Sequence, residues 1–293
     1  MKDMSEYSRR RFLAQAAIAG ASLSSSAWAR DPLQKSNLGV ELYTVRNIIT
    51  KDPNGVLKSI ADIGYSDVEV VYATLHQIWP GIQASGLKPV SAHVDAALWN
   101  SGGDPLDNVL AGLKEQGFQY AVYPYVDPKL RGGADVMKRF AQTLNQSGKA
   151  SKKHDLTFCY HNHAFEFQPL GDTTGLQIFM SETDPATVGL ELDIFWVSVA
   201  GHNPVDLLKT YTGRIPLLHL KDKAKGLPTQ FNEKVPPSTF KEVGNGSIDI
   251  PAVLKAADAE GVKYYFVEQD QTPGDPIASL RESYEYLSKH FST

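Results

Sequence analysis

The sequence predicts an α/β protein that folds as a (β/α)8 TIM barrel in a single domain. Short apolar runs alternate with longer amphipathic segments, and this alternation occurs eight times between residues 38 and 291. Such alternation indicates a parallel sheet covered by helices, and eight units in roughly 250 residues are typical of the closed barrel. No linker or change of composition divides this region. An open doubly wound sheet is the competing fold, but no G-x-G-x-x-G motif follows the first apolar run.

Eight apolar runs are the predicted strands. A short apolar run bounded by polar segments is typical of a buried strand. In chain order the runs occupy residues 38–45, 66–72, 88–94, 119–126, 156–163, 187–195, 215–222 and 262–269.

Helices are predicted between these strands. The segment 104–117 opens with Asp-Pro and closes with Gly, which are typical start and stop signals. The segment 251–261 reads PAVLKAADAEG, whose apolar residues recur with the helix period. The predicted helices occupy residues 53–64, 104–117, 134–153, 204–211, 251–261 and 276–291. Residues 223–245 form a long irregular stretch, and loops of that length are usually functional.

Residues 1–29 are predicted to form a secretory signal peptide and not a part of the barrel. Paired Arg9 and Arg10 precede an apolar run of small residues, which ends in an A-x-A motif at Ala27-Trp28-Ala29. The paired arginines resemble the twin-arginine export signal, and a basic disordered tail is the alternative. We expect cleavage after Ala29, a barrel formed by residues 30–293 and a periplasmic location. The apolar run is too short to span a bilayer, so we expect no membrane span in the mature chain.

The charge balance argues against a nucleic-acid partner. The chain has 29 Lys and Arg residues against 33 Asp and Glu residues, a formal net charge of −4. Nucleic-acid binding normally needs a basic surface. Cys159 is the single cysteine of the chain, so no internal disulfide can form.

Polar side chains cluster at the ends of the predicted strands. The stretch FCYHNHAFEF, for example, changes from apolar residues to two histidines and a glutamate. In a TIM barrel these ends meet at one mouth, where active sites lie. Burying unpaired carboxylates is costly, and cations or metal ions usually compensate them. The strand-end residues are Glu41, Tyr43, Arg46, Glu69, His93, His161, His163, Glu166, Glu191, Asp193, His219, Lys221, Asp222, Glu268 and Asp270.

The strongest combination among these residues is Asp193, His219 and Glu268, which end three successive strands. Mixed imidazole and carboxylate ligands suit Zn²⁺, Mn²⁺, Co²⁺ or Fe²⁺. We therefore predict that these three residues bind a metal ion. Glu191 lies deeper in its strand, and we expect it to be a structural ion-pair partner. Asp222 is expected to pair with a neighbouring lysine.

The strand ends resemble those of the xylose isomerase-like barrel superfamily, the sugar phosphate isomerase/epimerase family. The matching pieces are GVELYTVRN, YHNHAFEF, LELDIFWVSVAGHNP, LLHLKD, EVGNGSIDIP and YFVEQD. The resemblance implies one divalent metal ion, Mn²⁺, Co²⁺, Zn²⁺ or Mg²⁺, bound by Asp193, His219, Glu268 and a further glutamate. Where members usually place that glutamate this chain has His161, so the fourth ligand is expected to be Glu166, with His161 as the alternative.

The resemblance also implies a metal-dependent sugar isomerase or epimerase that removes a proton next to a carbonyl. The expected catalytic residues are His163 or His161 as base, Lys221 at the oxyanion and Glu268. The expected substrate-binding residues are Glu41, Tyr43, Glu69 and His93. Tyr72 and Trp196 are further aromatic candidates.

Several alternatives remain open at this point. A keto-sugar or glycoside lyase or dehydratase of the same superfamily shares the first half of the reaction. A non-catalytic periplasmic sugar-binding barrel is the alternative of another class. Because phosphorylated sugars are mostly cytoplasmic, the export signal favours an unphosphorylated or keto sugar as the small-molecule partner. A homodimer is possible, since barrels of this family often pair.

Overall fold

The computed structural model describes residues 38–290 and shows a closed barrel of eight parallel strands. It confirms the predicted fold class. The barrel strands are β1 (Leu38–Glu41), β2 (Asp67–Val71), β3 (Lys88–His93), β4 (Tyr120–Tyr123), β5 (Thr157–His161), β6 (Val188–Asp193), β7 (Leu217–Leu220) and β10 (Tyr264–Val267). Two short strands, β8 (Asp222–Lys223) and β9 (Phe240–Lys241), form a separate antiparallel pair. The predicted signal sequence lies outside the described residues.

Helices cover the outside of the barrel and connect its strands. They are α1 (Arg46–Ile49), α2 (Pro53–Ile63), α3 (Tyr72–Ser85), α4 (Ala96–Ser101), α5 (Gly103–Glu115), α6 (Ala134–Lys153), α7 (Gly175–Glu182), α8 (Ile194–Val199), α9 (Pro204–Thr210), α10 (Ile250–Glu260) and α11 (Pro276–Leu287). The bounds of α6 match the prediction, whereas α11 ends four residues earlier than predicted. Among residues 38–290, no helix is long and apolar enough to cross a membrane.

Helix α3 was not predicted, because Pro80 and Gly81 interrupt its sequence. Proline inside a helix removes a backbone hydrogen bond, so the pair normally signals a break. The glycine has a packing reason. A Cβ atom at Gly81 would lie 2.8 Å from Leu57 Cδ1 and 3.2 Å from the Pro53 carbonyl carbon of helix α2, so glycine favours this close approach of the two helices.

An apolar layer inside the barrel lies below the polar strand ends. It consists of Val90, Tyr120, Val122, Cys159, Leu217 and Phe266, all buried. Because side chains two residues apart on a strand share a face, Cys159, Leu217 and Phe266 lie one step below His161, His219 and Glu268. The barrel floor is therefore closed by apolar packing, and the polar groups collect at the carboxyl end.

Asp222 anchors the long loop after strand β7. Its carboxylate accepts hydrogen bonds from the backbone N–H groups of Gly244 and Gly246, at 3.0 and 2.9 Å, and from those of Lys223, Ser247 and Ile248. A Cβ atom at Gly246 would lie 2.1 Å from Asp222 Oδ1, so glycine is required there. The partners of Asp222 are thus backbone groups, not the lysine ammonium group that we expected.

Candidate metal centre

Strand register places the polar side chains of neighbouring strands beside one another at the carboxyl end of the barrel. Glu41 pairs with Glu69, His161 pairs with Glu191, and Asp193 pairs with His219. Parallel strands in register bring paired residues to the same height. The strand ends therefore form a ring of carboxylates and imidazoles at the carboxyl end of the barrel.

The structure brings Asp193, His219 and Glu268 together. Each offers one ligand atom, and these atoms lie within 4.8 Å of one another. His219 Nδ1 lies 2.8 Å from Glu268 Oε2, and all three residues are buried. Asp193 Oδ1 accepts hydrogen bonds from the first backbone N–H groups of helix α8, which fixes the carboxylate and leaves Oδ2 facing the cluster.

Lys221 lies among the carboxylates on the same wall. Its Nζ atom is 2.8 Å from Asp193 Oδ2, 2.6 Å from Glu268 Oε2 and 2.8 Å from Asp270 Oδ1. Burial alone would lower the pKa of Lys221, but these three carboxylates raise it well above its usual value. The side chain is therefore a fixed cation beside the cluster.

Glu191 is the centre of a group of three histidines. Its Oε2 atom lies 2.8 Å from His93 Nε2, 2.9 Å from His161 Nδ1 and 3.4 Å from His219 Nε2. Burial opposes the charge of Glu191, but the neighbouring His219 and His93 hold its pKa well below the usual value. Glu191 is thus an ion-pair partner, as expected from its depth, and it orients three imidazole rings.

Glu166 is not among the residues that the structure gathers around Asp193. It lies in a 3-10 turn (Phe165–Phe167), where Oε1 accepts a 2.5 Å hydrogen bond from the Tyr160 hydroxyl and Oε2 accepts one from the His163 backbone N–H at 2.9 Å. Burial raises the pKa of Glu166 to about 8. The other candidate for the fourth ligand, His161, lies beside the set, with Nε2 3.6 Å from Asp193 Oδ2.

The donor set fits a divalent metal ion. Glu69 Oε1, Glu191 Oε1 and Glu41 Oε2 are buried and have no hydrogen-bond partner among the described residues. Burial would lower the pKa values of His93 and His219, but the surrounding carboxylates raise the pKa of His93 to about 10 and that of His219 well above its usual value. The cluster therefore has an excess of negative charge that a dication would neutralise.

His163 differs from the other imidazoles because it faces the pocket and is neutral. Its ring lies 5.0 Å from the Tyr125 ring and 5.4 Å from the Trp196 ring, measured between centroids. Burial, with contributions from His161 and Lys221, lowers its pKa well below the usual value. Nδ1 of His163 is buried without a hydrogen-bond partner among the described residues.

A pocket of about 570 Å³ opens above this cluster. Tyr43 and His93 line it, whereas Glu41 and Glu69 lie buried beneath its surface and do not. Tyr72, an aromatic candidate from the sequence, lines a different depression. The remaining residues that line the pocket include His161, His163, Trp196, Lys221, Glu268 and Asp270.

Several pocket residues were not predicted from the sequence. Tyr125 follows strand β4 and could have been found, because it is the last residue but one of the run QYAVYPYV. Phe240 and Glu233 belong to the long loop after β7, and only the folded loop places them against the pocket. Arg131 joins two loops at the pocket rim, since its Nη1 atom lies 2.9 Å from Glu233 Oε1.

Comparisons with known proteins agree with this geometry. The sequence model of the xylose isomerase-like TIM barrel family matches residues 117–290. An inosose dehydratase of Clostridium botulinum is 28% identical over 179 residues, covering 58% of this chain and 59% of that protein. The chain thus aligns with about six tenths of the length of this curated relative.

Solved structures share the fold. A sugar phosphate isomerase/epimerase from Parabacteroides distasonis superposes with a TM-score of 0.72 at 21% identity, covering 86% of this chain and 97% of that one. The IolI protein, whose crystal structure contains a zinc atom, superposes with a TM-score of 0.67 at 16% identity, covering 88% of this chain and 100% of that one.

Proposed function

The chain belongs to the xylose isomerase-like TIM barrel family, and on that premise we propose that it is a metal-dependent lyase of the dehydratase type acting on an unphosphorylated keto sugar. The observation that carries this proposal is His163, which lines the pocket beside Tyr125 and Trp196 and whose lowered pKa leaves the imidazole neutral. The inosose dehydratase relatives support a cyclic polyhydroxy ketone as the substrate class.

The residues that would hold the metal ion are Asp193, His219 and Glu268, with His161 as the fourth. The zinc atom in the structure of IolI, which has the same fold, supports a divalent ion as the cofactor. When bound, the ion supplies Lewis-acid polarisation of the substrate carbonyl.

His163 is the proposed base. Its imidazole takes the proton from the carbon next to the carbonyl, and the electrons of that C–H bond form the enediolate. The imidazolium then protonates the hydroxyl group on the adjacent carbon, whose C–O bond breaks to release water and form the C=C double bond. His163 ends neutral, so one side chain completes the proton balance of an elimination.

Lys221 is proposed to stabilise the enediolate oxygen. It lines the pocket and is held cationic by Asp193, Glu268 and Asp270. A buried cation that is already oriented stabilises developing negative charge without reorganisation. Glu268 contributes by holding both Lys221 and His219.

Isomerisation or epimerisation is the second candidate reaction. It is the reaction that the sequence analysis favours over elimination. It shares the removal of the proton, and the Parabacteroides neighbour with an isomerase/epimerase name has the same fold. Epimerisation returns the proton on the opposite face and so requires a second proton-transfer group. His93 is the candidate, but Nε2 of its ring already contacts Glu191. Elimination needs only His163, which is why we place it first.

Product analysis separates the candidates. The metal-loaded protein is incubated with an inosose and with a panel of unphosphorylated keto sugars and keto glycosides, and products are identified by mass spectrometry and NMR. Elimination yields a product lighter by one water or one alcohol, whereas isomerisation yields one of unchanged mass. Binding without any product would favour the sugar-binding barrel and overturn the proposal.

We also propose that the mature protein acts in the periplasm, since Arg9, Arg10 and the A-x-A motif at 27–29 are features of an export signal. Fractionation of cells that produce the full chain, with Arg9 and Arg10 both replaced by Lys in the control, tests this location. The wild type is expected in the periplasmic fraction and the control in the cytoplasm.

A further inference from the structure

We propose that a second divalent cation binds among Glu41, Glu69 and His93, at the ends of strands β1, β2 and β3. This inference goes beyond the proposed function, which needs only the ion at Asp193, His219 and Glu268. The two sets share no residue, and the second occupies a different part of the barrel wall.

The three side chains have the geometry of a ligand set. Each offers one ligand atom, and these atoms lie within 4.8 Å of one another. Glu41 and Glu69 pair in register on neighbouring strands, so both carboxylates lie at one height, and each is 0% exposed. His93 is the adjoining imidazole on β3. Two carboxylates and one imidazole suit Mn²⁺ or Zn²⁺.

Each carboxylate is fixed by one oxygen and leaves the other without a partner. Glu41 Oε1 accepts a hydrogen bond from the Tyr43 backbone N–H at 3.2 Å, and Glu69 Oε2 lies 2.5 Å from His219 Nε2. Glu41 Oε2 and Glu69 Oε1 are buried with no hydrogen-bond partner among the described residues. A buried acceptor left unsatisfied costs on the order of 1–3 kcal/mol. A cation between the two oxygens would remove this cost for both.

His219 links the two proposed ions. Its Nδ1 atom faces Glu268 of the first set, and its Nε2 atom faces Glu69 of the second. A single imidazole ring therefore lies between the two sets. The competing explanation for the unpaired oxygens is a proton shared by Glu41 and Glu69, because two adjacent buried carboxylates resist double ionisation.

Metal stoichiometry distinguishes these explanations. The full chain is stripped with chelator, equilibrated with excess Mn²⁺, freed of unbound ion, and assayed by elemental analysis and titration calorimetry. We expect two ions per chain in the wild type and one in Glu41→Gln. One ion is also expected in Asp193→Asn, and none in the double variant. Asp67→Asn is the matched control, a buried carboxyl group of strand β2 that lies outside both sets, and should keep two ions.

A second readout guards against misfolding of the variants. Crystals of the wild type soaked in Mn²⁺ should show two anomalous peaks, one beside Glu41 and one beside Asp193. A single ion that Asp193→Asn loses and Glu41→Gln keeps would overturn the second site and leave the proposed function standing. Two ions in both the wild type and Glu41→Gln would also overturn it, and no ion in the wild type would refute both proposals.

Discussion

At the residue scale, the site depends on how burial and neighbouring charges set the protonation of similar side chains. His163 and His93 both line the pocket, yet burial lowers the pKa of the first well below its usual value, whereas the carboxylates of Glu69, Glu191 and Glu41 raise the pKa of the second to about 10. A cation bound among these carboxylates would compete with the proton on His93. The difference comes from the partners that each strand end supplies.

Glu166→Gln tests whether this residue positions His163 or binds metal. Its carboxyl group accepts hydrogen bonds from the His163 backbone N–H and from the Tyr160 hydroxyl. We expect kcat to fall about tenfold, the loss of roughly one hydrogen bond, with the metal content unchanged. Tyr160→Phe, which removes the hydroxyl alone, is the control for the same anchor. Loss of the metal ion from Glu166→Gln would instead make Glu166 the fourth ligand.

Asp67 predicts a pH dependence of stability away from the site. It is 1% exposed; burial raises its pKa to about 6, against the opposing hydrogen bond from the Ser66 hydroxyl. Because the folded state holds the proton more tightly, this carboxyl group contributes stability below its unfolded pKa of about 4, and the contribution is lost as the pH rises through 6. As the pH rises from 4 to 7.5, we expect the free energy of unfolding of Asp67→Asn to increase by up to about 3 kcal/mol relative to that of the wild type.

Urea unfolding of both proteins at the two pH values measures this difference. The direction of the change with pH decides the test. A carboxyl group with a lowered pKa would make the wild type, and not the variant, relatively more stable at the higher pH. Equal pH dependence of the two proteins would contradict a raised pKa for Asp67.

At the element scale, the loops after β4 and β7 meet over the pocket through Arg131. Its guanidinium group lies 3.6 Å from the centre of the Phe165 ring and pairs with Glu233 of the long loop. Arg131→Ala removes both contacts, together worth about 1–2 kcal/mol. We expect KM to rise about tenfold with little change in kcat, because the loop contributes to binding and not to proton transfer.

Steady-state kinetics with Arg131→Lys beside Arg131→Ala separates charge from stacking. Lysine keeps the charge but loses the planar group that stacks on Phe165. A fall in kcat at unchanged KM would show that the loop acts in the chemical step.

The elements also show what the sequence could and could not predict. All eight barrel strands were predicted, because each is a short apolar run, and strand-end position alone brought Asp193, His219 and Glu268 together. The orientation of Glu166 could not be predicted, since it depends on the turn at Phe165–Phe167. Helix α3 was not predicted, because Pro80 and Gly81 normally indicate the end of a helix. In the structure the helix continues through them and packs against α2 at Gly81.

At the scale of the whole molecule, the barrel joins an apolar floor to a ring of buried carboxylates that could hold a cation. The ring includes Glu41, Glu69, Glu191, Asp193, Glu268 and Asp270; the first four are 0% exposed, and Glu268 is 6% exposed. Binding of an ion by the folded state alone stabilises it by mass action. Metal loading is therefore linked to the stability of the barrel as a whole.

Thermal unfolding with and without metal ion measures this linkage. At an ion concentration 1,000 times Kd the folded state gains about 4 kcal/mol, which corresponds to a rise in Tm of about 8–16 °C for a domain of this size. The double variant Asp193→Asn with Glu41→Gln, which is expected to bind no ion, should show little of this rise. An equal Tm in chelator and in Mn²⁺ would mean that the charged ring binds no ion.

The removal of a proton next to a carbonyl is the central claim, and exchange with deuterated water tests it most directly. A keto sugar is incubated in D₂O with the wild type, with the wild type in chelator and with His163→Ala, and loss of the signal of the hydrogen next to the carbonyl is followed by proton NMR. We expect metal-dependent exchange or elimination in the wild type, and a rate lower by about 10²–10⁴-fold in His163→Ala with the metal ion retained. Equal rates in the wild type and His163→Ala would contradict His163 as the base, and a wild-type rate no faster than the protein-free solution would contradict the reaction itself.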